Sequence, residues 1–202
     1  KFLRTEKTER SHIERVFKCL ALASPGVSFS LSIDKKLYWR LPEVDSALQS
    51  YRIKKILGQE FTENSKQIVG RASGISLFGW IGLPAYSRSQ TDRQYLFVNG
   101  RVVKDVSLSH AVRRAYADVL YRGRHPAYVL DLKIDPLTID VNVHPTKNEV
   151  RFEDARSVHD FLYREIAQAT ADTRAGSNFA SNESGWPGTS YGPHRIKPSE
   201  SV

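Results

Sequence analysis

This chain of 202 residues has few or none of several features, and each absence excludes a class of protein. Cys19 is the only cysteine, so neither a disulfide framework nor a cysteine-based zinc site can form within the chain. No apolar run approaches the roughly 20 residues that a membrane-spanning helix needs. The first residues do not predict a signal peptide, so we expect a reducing, cytoplasmic setting and no membrane partner. Methionine is absent, which predicts a fragment of a longer protein.

Acidic residues are also outnumbered, with 22 Asp and Glu against 30 Lys and Arg and a formal net charge of +8. This excess predicts a polyanionic partner, with nucleic acid favoured over a membrane surface. The alternative is a basic protein whose charge serves only solubility. The excess is greatest between Arg93 and Arg124, where seven basic residues accompany two acidic ones.

The first 42 residues predict one helix and one β-hairpin. The helix covers about residues 5–23, and its apolar face consists of Ile13, Val16, Phe17 and Leu20. Strict alternation over residues 27–33 predicts a strand, and residues 37–41 predict its partner. One helix and one hairpin cannot close a core. We therefore interpret residues 1–42 as the end of a domain whose larger part is missing, with its apolar face partly exposed.

Residues 43–171 predict a complete α+β domain, a mixed β-sheet with helices on one face. The expected elements are a helix to about residue 57, strands at 66–72 and 75–83, a mobile loop at 84–93, a hairpin at 94–103, a helix from 105 or 107 to about 121, strands at 127–134 and 138–143, and a helix at 155–171. Asn99-Gly100 favours a type I′ turn in the hairpin. Residues 172–202, rich in Gly, Ser, Asn and Pro, predict a disordered linker.

The loop after the strand at 138–143 carries the most distinctive residues. Pro145 must end the strand, because it lacks a backbone donor and has a fixed φ. Lys147 follows at the end of this rigid turn, where an ammonium group is well placed to meet a phosphate. The alternative is a solvated surface lysine.

Two segments, Phe97-Val-Asn-Gly-Arg101 and Asp140-Val-Asn-Val-His-Pro-Thr-Lys-Asn-Glu-Val-Arg-Phe152, together resemble the signature of the MutL family of DNA mismatch-repair proteins. The resemblance extends from Lys1 to about residue 171. It implies that residues 1–42 are the C-terminal elements of a GHKL-type ATPase lobe. Residues 43–171 would then be a transducer domain similar to domain 2 of ribosomal protein S5.

The resemblance also implies a nucleotide contact. Lys147, with Thr146 and His144, would meet the γ-phosphate of ATP in the intact protein, while the missing lobe holds the nucleotide and Mg²⁺. The chain itself has no P-loop, no glycine-rich lid and no candidate water-activating glutamate. We therefore expect it not to bind ATP tightly or hydrolyse it alone, and the sequence leaves open whether to class it as an enzyme. No metal site is predicted.

DNA is the second partner that the sequence indicates. The residues predicted to follow the phosphate backbone of duplex DNA, without sequence preference, are Arg101, Lys104, Arg113, Arg114, Arg122 and Arg124. An ordinary solvated helix face is the alternative. Family resemblance implies a bacterial, nucleoid-associated protein that couples ATP binding and hydrolysis to DNA, to mismatch-recognition proteins and to downstream repair proteins, and that dimerises when intact. Two other interpretations are the transducer domain of another GHKL ATPase, such as a type II topoisomerase, and a ribosomal-type RNA-binding domain.

Overall fold

The computed structural model describes residues 5–45, 49–141 and 150–174. The elements in chain order are α1 (Glu6–Ala23), β1 (Phe29–Ile33), β2 (Lys36–Leu41), α2 (Gln49–Leu57), α3 (Gln59–Glu63), β3 (Ser65–Ala72), β4 (Ile75–Gly82), β5 (Gln94–Val98), β6 (Arg101–Val102), α4 (Val106–Ala115), β7 (Tyr128–Lys133), β8 (Ile139–Asp140), β9 (Arg151–Phe152) and α5 (Ala155–Arg174). Most predicted elements are present, and the short helix α3 was not predicted. The predicted linker beyond residue 174 lies outside the described residues.

A five-stranded sheet in the order β3-β4-β7-β5-β6 forms the centre of the fold. Its neighbours are antiparallel except β5 and β7, which run parallel with Tyr95 opposite Val129. Parallel neighbours need a crossover connection, and α4 lies within it. The α+β class with a mixed sheet is therefore confirmed. Gly79 lets β4 and β7 approach, because a Cβ there would lie 2.0 Å from the Val129 carbonyl oxygen.

Helices α4 and α5 cover one face of this sheet. In α4 the buried residues recur with the spacing of one helix face, at Leu108, Ala111, Val112 and Ala115. They pack with α5 against β7, where Leu130 and Leu132 are fully buried. This layer is the one that the sequence predicted.

The opposite face is also covered, which corrects the expectation of helices on one face only. Ile53 and Leu57 of α2 and Phe61 of α3 pack there against Phe97 and Val129 of the sheet. The cause is that β5 and β7 carry apolar side chains in both alternating directions, so neither face can be left in water. Helix α1 and the β1–β2 hairpin contribute to this second core.

Arg52 of α2 joins the first part of the chain to the sheet domain. Its side chain is only 1% exposed, and this burial lowers the pKa of the guanidinium. The guanidinium donates to four backbone carbonyl groups, those of Ala21 at 2.9 Å, Ser24 at 3.1 Å, Val27 at 2.8 Å and Pro42. One side chain thus donates hydrogen bonds to backbone carbonyl groups at the end of α1, in the following turn and at the exit from the hairpin.

The four residues predicted to form the apolar face of α1 differ in how far they are buried. Phe17 is buried and meets Phe29 edge to face, with 6.2 Å between ring centroids. Ile13, Val16 and Leu20 remain 49%, 58% and 52% exposed. The expectation of a partly exposed apolar face is therefore confirmed for three of its four residues.

Two local expectations are wrong for tertiary reasons. Helix α4 ends at Ala115 rather than near residue 121, since Tyr116 is turned into the core and its hydroxyl donates to the Gly82 carbonyl at 2.7 Å. The segment predicted as a mobile loop is held in place, because Tyr86 is buried and Arg88 pairs with Asp92 at 2.9 Å. Within the described part of the chain, no helix combines the length and apolar character that crossing a bilayer requires.

The Arg52→Met variant tests the role of this junction. It keeps the side-chain length but leaves four carbonyl groups without their charged donor, so we expect the free energy of unfolding to fall by about 3 kcal/mol. Urea denaturation measures the loss, and hydrogen exchange should show it first around residues 20–27. Lys55→Met, an exposed change on the same helix, is the control and should alter stability by less than about 0.5 kcal/mol. Equal effects of the two changes would contradict the assigned role.

Candidate nucleic-acid interface

A basic groove lies between α1 and α4, with a volume of about 330 Å³. Lys104 and Arg113, two of the residues predicted to bind DNA, line it together, and both are exposed. Arg15 of α1 supplies a third cation. The sequence analysis missed Arg15 because it lies on a different predicted unit, and no local pattern connects it to α4.

The local sequence explains how α4 presents its side of the groove. Asp105 caps the helix, its side chain accepting from the Leu108 backbone N–H at 2.8 Å. Four α4 residues with helical spacing then line the groove, namely Val106, Ser109, His110 and Arg113. Among the described residues that line the groove, the acidic residue is Asp105. Its carboxylate already accepts the hydrogen bond that caps α4.

Neutral hydrogen-bonding groups complete the groove. Thr91, Gln94 and Ser109 contribute hydroxyl or amide groups, and Tyr128 lies beside them. Burial raises the pKa of Tyr128 to about 12, while the hydrogen bond with Ser109 acts in the opposite direction. Its hydroxyl is therefore protonated at physiological pH. Three cations with neutral donors between them form a surface suited to phosphate groups.

The other four predicted DNA-binding residues lie apart from this groove. Arg114 covers the ring of Tyr163 on α5, with 4.9 Å from its guanidinium carbon to the ring centroid. Arg124 donates to the hydroxyl and carbonyl of Ser87 and so supports the 84–93 segment. Arg122 is exposed, and Arg101 lines a separate cavity. Of the six predicted residues, Lys104 and Arg113 are therefore the two that line this groove.

Arg101 lies where the two signature segments meet. The turn at Asn99 and Gly100 has φ values of +50° and +78°, as the type I′ prediction requires. The Asn99 amide donates to the Ile134 carbonyl at 2.9 Å and its oxygen accepts from the Ile134 N–H at 3.1 Å. This turn and Val141 and Val150 line one cavity of about 280 Å³.

Lys147, Thr146 and His144 lie outside the described residues, which exclude 142–149. The strands that flank this segment are described. β8 pairs with β9, with Ile139 opposite Phe152 and Asp140 opposite Arg151. The two ends of the segment are therefore held side by side, next to the Asn99 turn.

Comparison with known proteins identifies the class. The family described as DNA mismatch repair protein, C-terminal domain, matches residues 53–171, and the chain belongs to this family. Among its relatives is the DNA mismatch repair protein MutL of Chromohalobacter salexigens, 50% identical over 186 residues, which are 92% of this chain and 29% of that protein. MutL of Xylella fastidiosa is 51% identical over 177 residues, which are 88% and 28% of the two chains. The resemblance to MutL is thereby confirmed, and these relatives do not favour the topoisomerase or ribosomal interpretation.

Solved structures show the same fold. The N-terminal domain of a DNA repair protein aligns with a TM-score of 0.71 at 20% identity, over 85% of this chain and 56% of that one. The ATPase domain of Aquifex aeolicus MutL complexed with ADP aligns with a TM-score of 0.51 at 18% identity, over 81% and 51% of the two chains. The chain spans less than a third of the length of the MutL relatives named above.

Asn99→Ala tests how the two signature segments are joined. The change removes both hydrogen bonds to Ile134 and places alanine at a positive φ, so we expect a loss of about 2 kcal/mol in the free energy of unfolding. Chemical denaturation measures it. Asn64→Ala, which removes one exposed bond to the Glu60 carbonyl, is the control and should cost less than half as much. A smaller loss at Asn99 than at Asn64 would show that the turn holds without its side chain.

Proposed function

We propose that this chain is the part of a longer MutL-type protein that couples ATP binding and hydrolysis to DNA binding during mismatch repair. The observation that carries the proposal is the convergence of the two signature segments on one cavity, with the ends of the 142–149 segment fixed beside the Asn99 turn. The much greater length of the MutL relatives supports a larger intact protein. Its dimerisation, repair-protein partners and bacterial nucleoid setting belong to the same proposal.

The proposed domain division passes through the second core, to which residues on both sides of the boundary contribute. Residues 1–42 end an ATPase lobe, residues 43–171 form the transducer domain, and residues 172–202 are a linker. The exposed Ile13, Val16 and Leu20 support this division, because an apolar stripe on one helix is a surface that the remainder of a lobe can cover. Arg52 of α2, within the proposed transducer domain, fastens this part through its hydrogen bonds to Ala21 and Val27.

In the proposed nucleotide contact, Lys147 meets the γ-phosphate of ATP, with Thr146 and His144 beside it and Mg²⁺ held in the lobe. ADP is part of the Aquifex aeolicus structure named above, which supports nucleotide use by such a fold. The ammonium group of a lysine is a compact charge that responds to the presence of a terminal phosphate. When that phosphate leaves, the contact is lost and the lobe and transducer can change their relative position.

DNA would bind at the groove between α1 and α4, through Arg15, Lys104 and Arg113. These cations are accompanied by neutral donors, and Tyr128 is buried, so the groove offers hydrogen bonds to phosphates rather than a platform for base stacking. Binding should therefore be weak, independent of sequence and strongly dependent on salt. Arg101, Arg114, Arg122 and Arg124 would extend the contact only where the duplex passes beyond the groove.

Charge reversal in the groove tests the DNA contact. We expect the Arg15→Glu and Arg113→Glu double variant to lower affinity for duplex DNA at least tenfold at low salt, equally for unrelated sequences. The slope of log affinity against log salt should become shallower by about 2, since two phosphate contacts are lost. Fluorescence anisotropy with labelled duplexes measures both quantities.

The matched control reverses two exposed arginines outside the groove, Arg40→Glu on β2 and Arg71→Glu on β3. It makes the same change in net charge, and β3 is the edge strand opposite β6. If the control weakens binding as much as the groove variant, net charge explains the effect and the groove has no special role.

Lys147→Ala in the full-length protein tests the nucleotide contact. If Lys147 stabilises the transferring phosphate, ATP turnover at saturating nucleotide should fall tenfold or more. Folding stability should change by less than about 0.5 kcal/mol, because a side chain whose role is to contact the nucleotide contributes little to the fold. Lys147→Arg should restore turnover only partly, because a planar guanidinium cannot place its charge as an ammonium does. Lys36→Ala, an exposed change on β2, is the control. Equal ATP turnover by all three variants would show that Lys147 has no role in the reaction.

A further inference from the structure

His110 presents an imidazole ring to the basic groove. The residue is exposed, and it lines the groove together with Lys104 and Arg113. Arg113 lies three residues further along α4, so the two side chains project from the same side of the helix. Arg15 of α1 lines the groove as well. A phosphate backbone that follows these three cations therefore passes the ring of His110.

The ring of His110 packs against a second histidine. His159 of α5 stacks on it, with 5.8 Å between the ring centroids and 23° between the ring planes. The His159 side chain is 16% exposed, and this residue does not line the groove. Its Nδ1 lies 3.0 Å from a carboxylate oxygen of Asp160. Of the two rings, that of His110 thus faces the groove, while His159 restricts the positions that it can take.

A histidine in this place makes the charge of the groove depend on pH, because histidine side chains change charge between about pH 5 and 8. A neutral imidazole has one N–H donor, whereas an imidazolium has two donors and a positive charge. In the free protein, Arg15, Lys104 and Arg113 oppose that charge, and a proton on His159 would oppose it from α5. Phosphate groups in the groove favour the imidazolium instead, so proton uptake and DNA binding favour each other.

The charged and titratable neighbours on α4, α5 and β7 have partners of their own. Asp105 accepts the hydrogen bond that caps α4, and Arg114 lies over a tyrosine ring of α5. Asp160 contacts the second histidine of the pair and, at 3.9 Å, Arg156. Burial keeps the hydroxyl of Tyr128 neutral, because it raises the pKa to about 12. A phosphate of the bound DNA is therefore the anion that pairs with a charged imidazole in the groove.

We propose that His110 is a further DNA contact of the basic groove, and that it pairs with a phosphate group in its protonated form. This inference rests on the proposed DNA-binding function of the groove. Arg15, Lys104 and Arg113 are charged throughout the physiological pH range, and His110 adds a fourth cation as the pH falls. His159 positions the ring and does not meet the DNA. Affinity for duplex DNA therefore increases with acidity, and a proton is taken up on binding.

Fluorescence anisotropy with a duplex that carries a pH-insensitive rhodamine label tests this in the 202-residue chain. Between about pH 8 and about pH 6 the affinity should rise about threefold, the effect expected of one exposed ion pair. The slope of log affinity against log salt should become steeper by about 0.9, because one more phosphate contact is made. Calorimetric titration in buffers of different ionisation enthalpy should show proton uptake on binding.

Four variants separate the two histidines. His110→Gln should abolish both pH effects. His110→Lys should give, at about pH 8, the affinity and salt slope that the unaltered chain has at about pH 6. His159→Phe keeps a stacked ring without a titratable nitrogen, so it should retain both effects. His12→Gln, an exposed change on α1 outside the groove, is the matched control and should retain them too.

The inference is overturned if the chain binds DNA in a salt-dependent manner but neither affinity nor salt slope changes with pH. Persistence of the pH effects in His110→Gln, or their loss in His159→Phe or His12→Gln, would overturn it as well. An absence of salt-dependent binding at both pH values would contradict the proposed DNA-binding function of the groove, and this inference with it. The two failures are therefore distinguishable.

Discussion

Strands β5 and β7 together have apolar side chains on both faces of the sheet, and most of the structure follows from the need to cover both faces. Leu130 and Leu132 point to the layer of α4 and α5, whereas Val129 points to the layer of α2 and α3. The second layer is closed by α1 and the β1–β2 hairpin. The N-terminal part is thus a component of the core of this chain even if it also belongs to a larger lobe. Arg52 fixes its position, because carbonyl groups from three places meet on one guanidinium.

The same arrangement places the basic groove at a junction. Lys104 and Arg113 belong to the crossover between β5 and β7, and Arg15 belongs to α1, which is held over the other face of the sheet. The distance between these cations therefore depends on how the N-terminal part is seated. Under the proposed function, a nucleotide-dependent shift of the lobe would change the spacing of the charges that meet DNA. Under that proposal, the fold would provide a physical link between the nucleotide and DNA sites.

Local sequence signals predicted most of the elements, because periodicity and turn residues act over short distances. The β5–β6 hairpin follows from Asn99-Gly100, and α5 follows from its apolar spacing. The early end of α4 could not be predicted, since it depends on a hydrogen bond from Tyr116 to Gly82. Arg52 resembles any solvated arginine on an amphipathic helix, and only the tertiary fold surrounds it with carbonyl groups. For the candidate site, the sequence predicted Lys104 and Arg113 but not Arg15, which lines the groove with them only because of the tertiary fold.

The convergence of the two signature segments has a topological cause. Strands β5 and β7 are parallel neighbours, so their carboxyl ends lie at the same edge of the sheet. β5 leads directly into the Asn99 turn, and β7 leads through a short turn into β8 and the 142–149 segment. The amide of Asn99 bridges the two exits by pairing with both backbone groups of Ile134. Under the proposed function, a loop that presents Lys147 to a phosphate needs a fixed base. The edge formed by β5 and β7 would supply that base, because the Asn99 amide there takes the place of the next backbone hydrogen bonds of the parallel ladder.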